Sequence, residues 1–378
     1  NFTTATDNYN VAVGYDAGGA VTTGVENTIL GGLAADALTT GGQNVALGYV
    51  ALTADTVGSK SVAIGFRSLG AQNYGTATDS FNVAVGYDSG RAITTGVQNT
   101  LIGGLAGDAL TDADYNIALG ANALSADTLG SNSVAVGAFA LRDQNLTTAT
   151  NTHNTAVGYN AGGDVTTGIN NTLLGALAGD ALTSSNNNVA IGFQALSSDT
   201  QGTKTVAIGV DALLNQNQTT NTDTYNVAMG YHAGRDVTTG VRNTIVGGLA
   251  GDAITTGERN TVLGALALSE ETTGEYSTAV GYQALAVQNS TTGAGMYNTA
   301  VGYQAGLSVT TGNLNTILGG LAGDAITTGT DNVAIGYSAL SAEDAHGLNV
   351  AIGSQALRVQ NAGANAYNIG IGYNAGGA

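Results

Sequence analysis

Hydrophobic residues in this chain come in short clusters closed by a glycine, each followed by a polar stretch. The first complete example is Asn10-Val11-Ala12-Val13-Gly14-Tyr15-Asp16-Ala17. The pattern begins again at Asn27, Asn44 and Ser61, each after a step of 17, and at Asn82 after a step of 21. These four steps make one cycle, which returns at Asn154, Asn226 and Asn298. Twenty-one units are present, the last opening at Asn368 after a step of 19. Self-similarity at such a period marks a repeat architecture. The residues of each unit are numbered below as columns, with Asn10 in column one.

Runs such as Val11-Ala12-Val13, Val62-Ala63-Ile64 and Thr316-Ile317-Leu318 are β-branched and end at Gly, which predicts strands of about five residues. Thr-Thr-Gly at 22–24, 94–96, 166–168, 238–240 and 310–312 has turn chemistry. A helix would not place Gly at one fixed point of every unit without a helical stripe. The expected fold is all-β, a parallel β-solenoid of about 21 rungs stacked at ~4.8 Å, on the order of 100 Å long. It is expected to be one continuous solenoid over 1–378, with super-repeats 10–81, 82–153, 154–225, 226–297 and 298–367 and a partial one at 368–378.

Three columns carry the repeat. Column five is Gly in every unit, including Gly14, Gly31, Gly48, Gly65, Gly86, Gly103, Gly158, Gly230 and Gly302. That is expected where φ is positive or another backbone comes close. Column one is Asn in 17 units, including Asn10, Asn27, Asn44, Asn82, Asn99, Asn154, Asn226 and Asn298. Stacked amides predict a ladder in which each side chain bonds to the next. Its four exceptions, Ser61, Ser133, Thr205 and Ser277, all open the fourth unit of a cycle. Column eight is Ala or Ser throughout. Both strand faces lack charge, which predicts packing on two sides: on the chain's own roll and, through the small-residue face, on other copies. A homotrimer is the expected assembly. Size is traded as well: second units carry Ile29, Leu101, Leu173, Ile245 or Ile317 in column three and only Gly or Ala in column six.

The four extra residues of each longer step fall in polar loops beginning Gln72-Asn73, Gln144-Asn145, Gln216-Asn217, Gln288-Asn289 and Gln360-Asn361. These are expected to project from one side. Asn145, Asn217 and Asn289 open Asn-x-Ser/Thr triplets and are candidate glycan or contact positions. Asn1 opens another, in a segment that reads as the tail of such a loop. The chain reads as a fragment of a longer one.

Composition narrows the function classes. Gly is 58 of 378 residues, Pro, Cys and Trp are absent, and the formal charge is −18. That charge excludes a phosphate-binding surface, so no nucleic-acid partner is expected. No apolar run is long enough to cross a membrane, and without cysteine there is no disulfide framework. The histidines, His153, His232 and His346, stand at unlike columns, so no shared metal site or catalytic centre is expected of them. Asp36, Asp108, Asp180, Asp252 and Asp324 share a column but lie four rungs apart, about 19 Å, too far for one chain to chelate a cation. They read as turn or solvated positions. No hydrolytic triad or phosphate cradle is recognisable, so no enzyme activity and no cofactor is expected.

The motif Asn-Val-Ala-Val-Gly-Tyr, with variants at Ser61–Gly65 and Ser133–Gly137, resembles the head repeats of trimeric autotransporter adhesins. The strings Asn154–Gly162 and Asn298–Gly306 are more similar to repeats in bacteriophage tail fibres, notably marine ones. The resemblance implies a left-handed parallel β-roll, three chains side by side, on an extracellular virion appendage or cell surface. The adhesin-head repeat is commonly shorter than the step of 17 found here, and it lacks the regular longer step. The expected function is the structural shaft of a phage tail or virion fibre supporting host attachment, with any host glycan or protein met by the loops or by a tip outside this sequence. The alternative is a bacterial surface adhesin or self-assembling extracellular filament.

Overall fold

A computed structural model describes residues 7–361 and 363–377; the loop tail read at 1–7, apart from Asp7, lies outside them, as do Ala362 and Ala378. The chain is all-β, with no helix among the described residues, and forms a parallel β-solenoid of about 21 turns. It divides into two compact units, 1–187 and 188–378. Within each unit, every three-residue strand pairs in parallel and in register with the next. In the first, Val45–Leu47 lies on Val62–Ile64 and this on Val83–Val85. In the second, Val189–Ile191 lies on Val206–Ile208 and this on Val227–Met229. Hydrogen bonds leave each strand in both directions. The Val45 N–H donates forward to the Ser61 carbonyl at 2.9 Å, and the Gly48 N–H donates back to the Leu30 carbonyl at 2.8 Å.

The strands are shorter than the expected five, at three residues each, because left-handed backbone closes them at both ends. The residue before column one and the residue in column seven have positive φ in every turn, whatever their type: Tyr9, Lys60, Arg67 and Phe139 are examples. Column nine is left-handed too, and in the third and fourth turns of a cycle it is Leu, with φ between 48° and 57°. A non-glycine residue held there costs about 1–2 kcal/mol. Leu52, Leu69, Leu124 and Leu141 offset that cost by complete burial, a gain of about 1.5–3 kcal/mol each.

The core is narrow and built from small residues. Column three points inward: Ala46, Ala63, Ala84 and Ala118 are fully buried, as are the column-eight alanines Ala51 and Ala123. The small-residue face, expected to dock other copies, is therefore the inside of the chain's own roll. Columns two, four and six face outward. The size trade also differs from expectation. Ile29, Leu101 and Leu173 are buried, and the space they take is released by glycine in column nine of the turn before. A Cβ on Gly18 would lie 2.9 Å from Ile29 Cδ1, and one on Gly90 2.8 Å from Leu101 Cδ1.

In column five the backbone of the next turn comes too close for a side chain. Gly158 has φ 142°, and a Cβ there would lie 2.5 Å from the Gly175 carbonyl carbon; on Gly230, φ 141°, it would lie 2.5 Å from the Gly247 carbonyl oxygen. Overlap with backbone is not relieved by a rotamer change. Gly158→Val or Gly230→Val is therefore expected to destabilise its unit by about 3 kcal/mol or more. Thermal unfolding followed by circular dichroism checks this, and an unchanged melting temperature would contradict the close approach.

Candidate functional site

Column one builds a ladder whose rungs run through the backbone. The side-chain oxygen of Asn10 accepts the Asn27 N–H at 2.8 Å, that of Asn27 the Asn44 N–H at 3.0 Å, and that of Asn82 the Asn99 N–H at 2.9 Å. Asn154, Asn226 and Asn298 likewise accept the N–H of Asn171, Asn243 and Asn315, each at 2.9 Å. Each Nδ2 donates across the coil to a turn carbonyl: Asn27 to Gly41 at 3.0 Å, Asn154 to Gly168 at 2.8 Å, Asn298 to Gly312 at 2.7 Å. The expected amide-to-amide bond occurs as a longer secondary contact, Asn99 Nδ2 to Asn82 Oδ1 at 3.3 Å. Asn27, Asn154 and Asn298 thus each satisfy two backbone groups that would otherwise be buried without partners. The nine column-five glycines singled out from the sequence have φ between 130° and 146°.

Column twelve holds a polar core that was not among the expected columns. In the first two turns of a cycle it is aliphatic, as with Ile93 and Leu110; in the third it is an acid and in the fourth a glutamine. The acids Asp55, Asp127, Asp199, Glu271 and Glu343 are completely buried. Gln72 donates its Nε2 to Asp55 at 2.6 Å, Gln144 to Asp127 at 2.5 Å, Gln216 to Asp199 at 2.5 Å and Gln288 to Glu271 at 2.8 Å. The glutamine oxygen then accepts Nδ2 of the next column-one Asn: Asn82 at 2.9 Å, and Asn154, Asn226 and Asn298 at 2.8 Å. A backbone N–H completes the set, Gly58 to Asp55 at 2.8 Å and Gly202 to Asp199 at 2.9 Å.

This network explains the exceptions in column one. The same glutamine Nε2 contacts Ser61 Oγ at 2.8 Å, Ser133 Oγ at 2.9 Å, Thr205 Oγ1 at 3.2 Å and Ser277 Oγ at 2.9 Å. In these four cycles a hydroxyl takes the glutamine's second N–H; in the fifth, Asn349 takes it through its side-chain oxygen, at 2.9 Å from Gln360 Nε2. In the sequence, the signal was the order aliphatic, aliphatic, acid, glutamine down one column, coincident with Ser or Thr in column one.

The loops are tied down at both ends. Tyr74, Leu146, Gln218 and Ser290 turn inward, with 4–7% of their surface exposed, and Ser80, Thr152 and Thr224 are fully buried. Thr78–Asp79 pairs in parallel with Gly58–Ser59, and Thr150–Asn151 with Gly130–Ser131. The expected projection is thus confined to the tips. Asn145 and Asn217 are exposed and Asn289 is half-buried. Their side-chain oxygens accept from Thr128, Thr200 and Thr272 at 3.1, 3.0 and 2.9 Å.

The outer strand face has a different chemistry. Column four is aliphatic or Met in every unit, and no residue of columns two, four and six is charged. Leu174 is 45% exposed, Met229 41% and Tyr159 57%. In column six, Tyr49, Phe66 and Tyr87 stack with centroids 5.9 and 5.2 Å apart. Their faces meet one another and their edges meet solvent.

The recurring acids after column nine sit in turns, as expected, but their carboxyls are largely withdrawn from water. Asp36 accepts from Thr53 at 2.5 Å, and Asp108 lies 3.5 Å from Arg91. The Oδ1 atoms of Asp180, Asp252 and Asp324 are buried without a hydrogen-bond partner. Burial pushes Asp180 up to about 6, and raises Asp108, Asp252 and Asp324. It also raises Asp55, Asp127 and Asp199, against the opposing effect of their glutamine and backbone donors. Of the histidines, His153 is exposed, His232 lies 3.1 Å from Asp211, and His346 lies 3.3 Å from Glu343.

These acids make stability depend on pH and on their donors. A carboxyl whose folded value is raised contributes stability that is full below its unfolded value near 3.8 and is lost as pH rises through the folded value. The melting temperature is therefore expected to rise as pH falls from 7.5 to 5, with Asp180→Asn reducing that rise; a lower melting temperature at pH 5 would contradict it. Gln216→Leu removes the side-chain donor to buried Asp199 and is expected to cost about 3–5 kcal/mol. Adding Asp199→Val, which restores the aliphatic pair of the first two turns, should recover most of that loss in urea unfolding.

No family model matches the chain, and no curated protein matches it.

Proposed function

We propose that this chain is a structural fibre segment, non-enzymatic, which assembles with two further copies of itself through the outer strand face. The observation that carries this reading is an outer strand face without charge, its fourth column aliphatic or Met throughout, on a chain with 27 acidic and nine basic residues. Charge is kept out of columns two, four and six in all 21 units, although nothing inside the single chain requires that. A sheet face left to water ordinarily carries polar side chains. Each unit presents a strip of roughly 10 by 50 Å, about 500 Å². One such strip is more than half of the ~800 Å² that one partner contributes to a stable interface.

A fibre shaft suits the rest of the chemistry. The polar interior is spent on backbone and side-chain hydrogen bonds that hold turns in place, and the negative charge elsewhere keeps assembled copies soluble. An extracellular setting, as a virion or cell-surface appendage supporting host attachment, is the context proposed for such a shaft. Sedimentation equilibrium is expected to give three times the chain mass. Met229→Asp with Leu263→Asp, both on exposed column-four positions, should lower the mass to that of one chain while the β-sheet circular dichroism persists. A wild-type chain that sediments as a monomer would overturn the proposal.

A further inference from the structure

Among the departures of the fifth cycle from the first four, two fall beside the third-turn acid, and both bring a metal-ligating side chain to the same buried carboxylate. After the third-turn acid, the first four cycles carry Thr in the next position and Gly in the third, as with Thr272 and Gly274 following Glu271. In the fifth cycle these are Asp344 and His346, following Glu343. The hydrogen bonding of the acid changes as well. Gln360 Nε2 lies 3.3 Å from Glu343, against 2.5–2.8 Å in the other four cycles. The His346 N–H donates to Glu343 Oε1 at 3.2 Å, as the glycine N–H of the other cycles does to its acid at 2.7–3.0 Å, and the imidazole adds a contact of its own, Nδ1 to Oε1 at 3.3 Å.

We propose that Glu343, Asp344 and His346 form a site for a divalent cation of the zinc type. One ligand atom from each of the three lies within 4.8 Å of the others. The 3.3 Å between His346 Nδ1 and Glu343 Oε1 matches the edge of a tetrahedron with ligand bonds of about 2.0–2.1 Å. Two carboxylates neutralise the ion, and an imidazole nitrogen favours zinc over calcium, whose ligands are oxygens. Three protein ligands leave one tetrahedral position for water. Glu343 is completely buried, while Asp344 and His346 are half-buried, so the site has a dry wall and an open side. This inference does not rest on the assembly proposed above, since all three ligands come from one chain.

The two departures supply their own controls. His346→Gly and Asp344→Thr restore the residues of the other cycles, which fold with them. Zinc chloride titrated by calorimetry into the untagged full chain, stripped with EDTA, is expected to bind once per chain and to raise the melting temperature. Either variant should weaken that binding by more than about tenfold. Absence of saturable zinc binding by the wild type would overturn the proposal. So would zinc binding unchanged in His346→Gly, or calcium binding of equal strength in wild type and His346→Gly.

Discussion

Parallel pairing at one strand spacing per turn leaves no room for a side chain in column five and no water for a polar group inside the coil. Both consequences repeat at every turn, because each residue lies on its equivalent in the next. The first is met by glycine without exception. The second is met by asparagine, whose short amide reaches one backbone N–H above and one carbonyl across the coil, as Asn27 does with Asn44 and Gly41. A longer amide would overshoot and a hydroxyl would satisfy fewer groups, so the column tolerates Ser or Thr only where another side chain takes over the missing bonds.

Much of this was legible from residues alone, because stacking turns a physical requirement into a visible column. The length of the turn, the four-turn cycle, the glycine approach and the role of column one as a ladder all have one residue type at one spacing. Inside and outside were harder to assign. Val11-Ala12-Val13 is apolar on both faces, and alanine can line a narrow core as readily as a close interface between chains. Strand length was hidden because left-handed corners fall on Leu, Arg, Tyr and Phe, residues that rarely adopt that backbone and give no local cue. Column twelve was missed for another reason. Its acid, its glutamine and its asparagine partner lie in three different turns, and each taken alone reads as loop polarity.

The buried acids are costly, so their regular recurrence needs a physical account. A uniform aliphatic column would pack as well, as the first two turns of each cycle demonstrate with Val165 and Leu182, both fully buried. What the acid and glutamine add is discrimination between registers. Chemically similar units one turn apart could pair with the wrong neighbour at little loss if all columns were apolar. Slipping by one turn would set Gln72 against an aliphatic residue and leave Asp55 without its donor. An unpaired buried carboxylate costs about 3–5 kcal/mol, and that penalty would fall on every cycle in a unit. The longer fourth step belongs to the same device, since its loop supplies the inward hydroxyls of Ser80, Thr152 and Thr224 that cap Ser61, Ser133 and Thr205 at 2.5–2.6 Å. A repeat of one turn thereby becomes a repeat of four, and the order of turns along the chain is set by polar groups that fit in only one alignment.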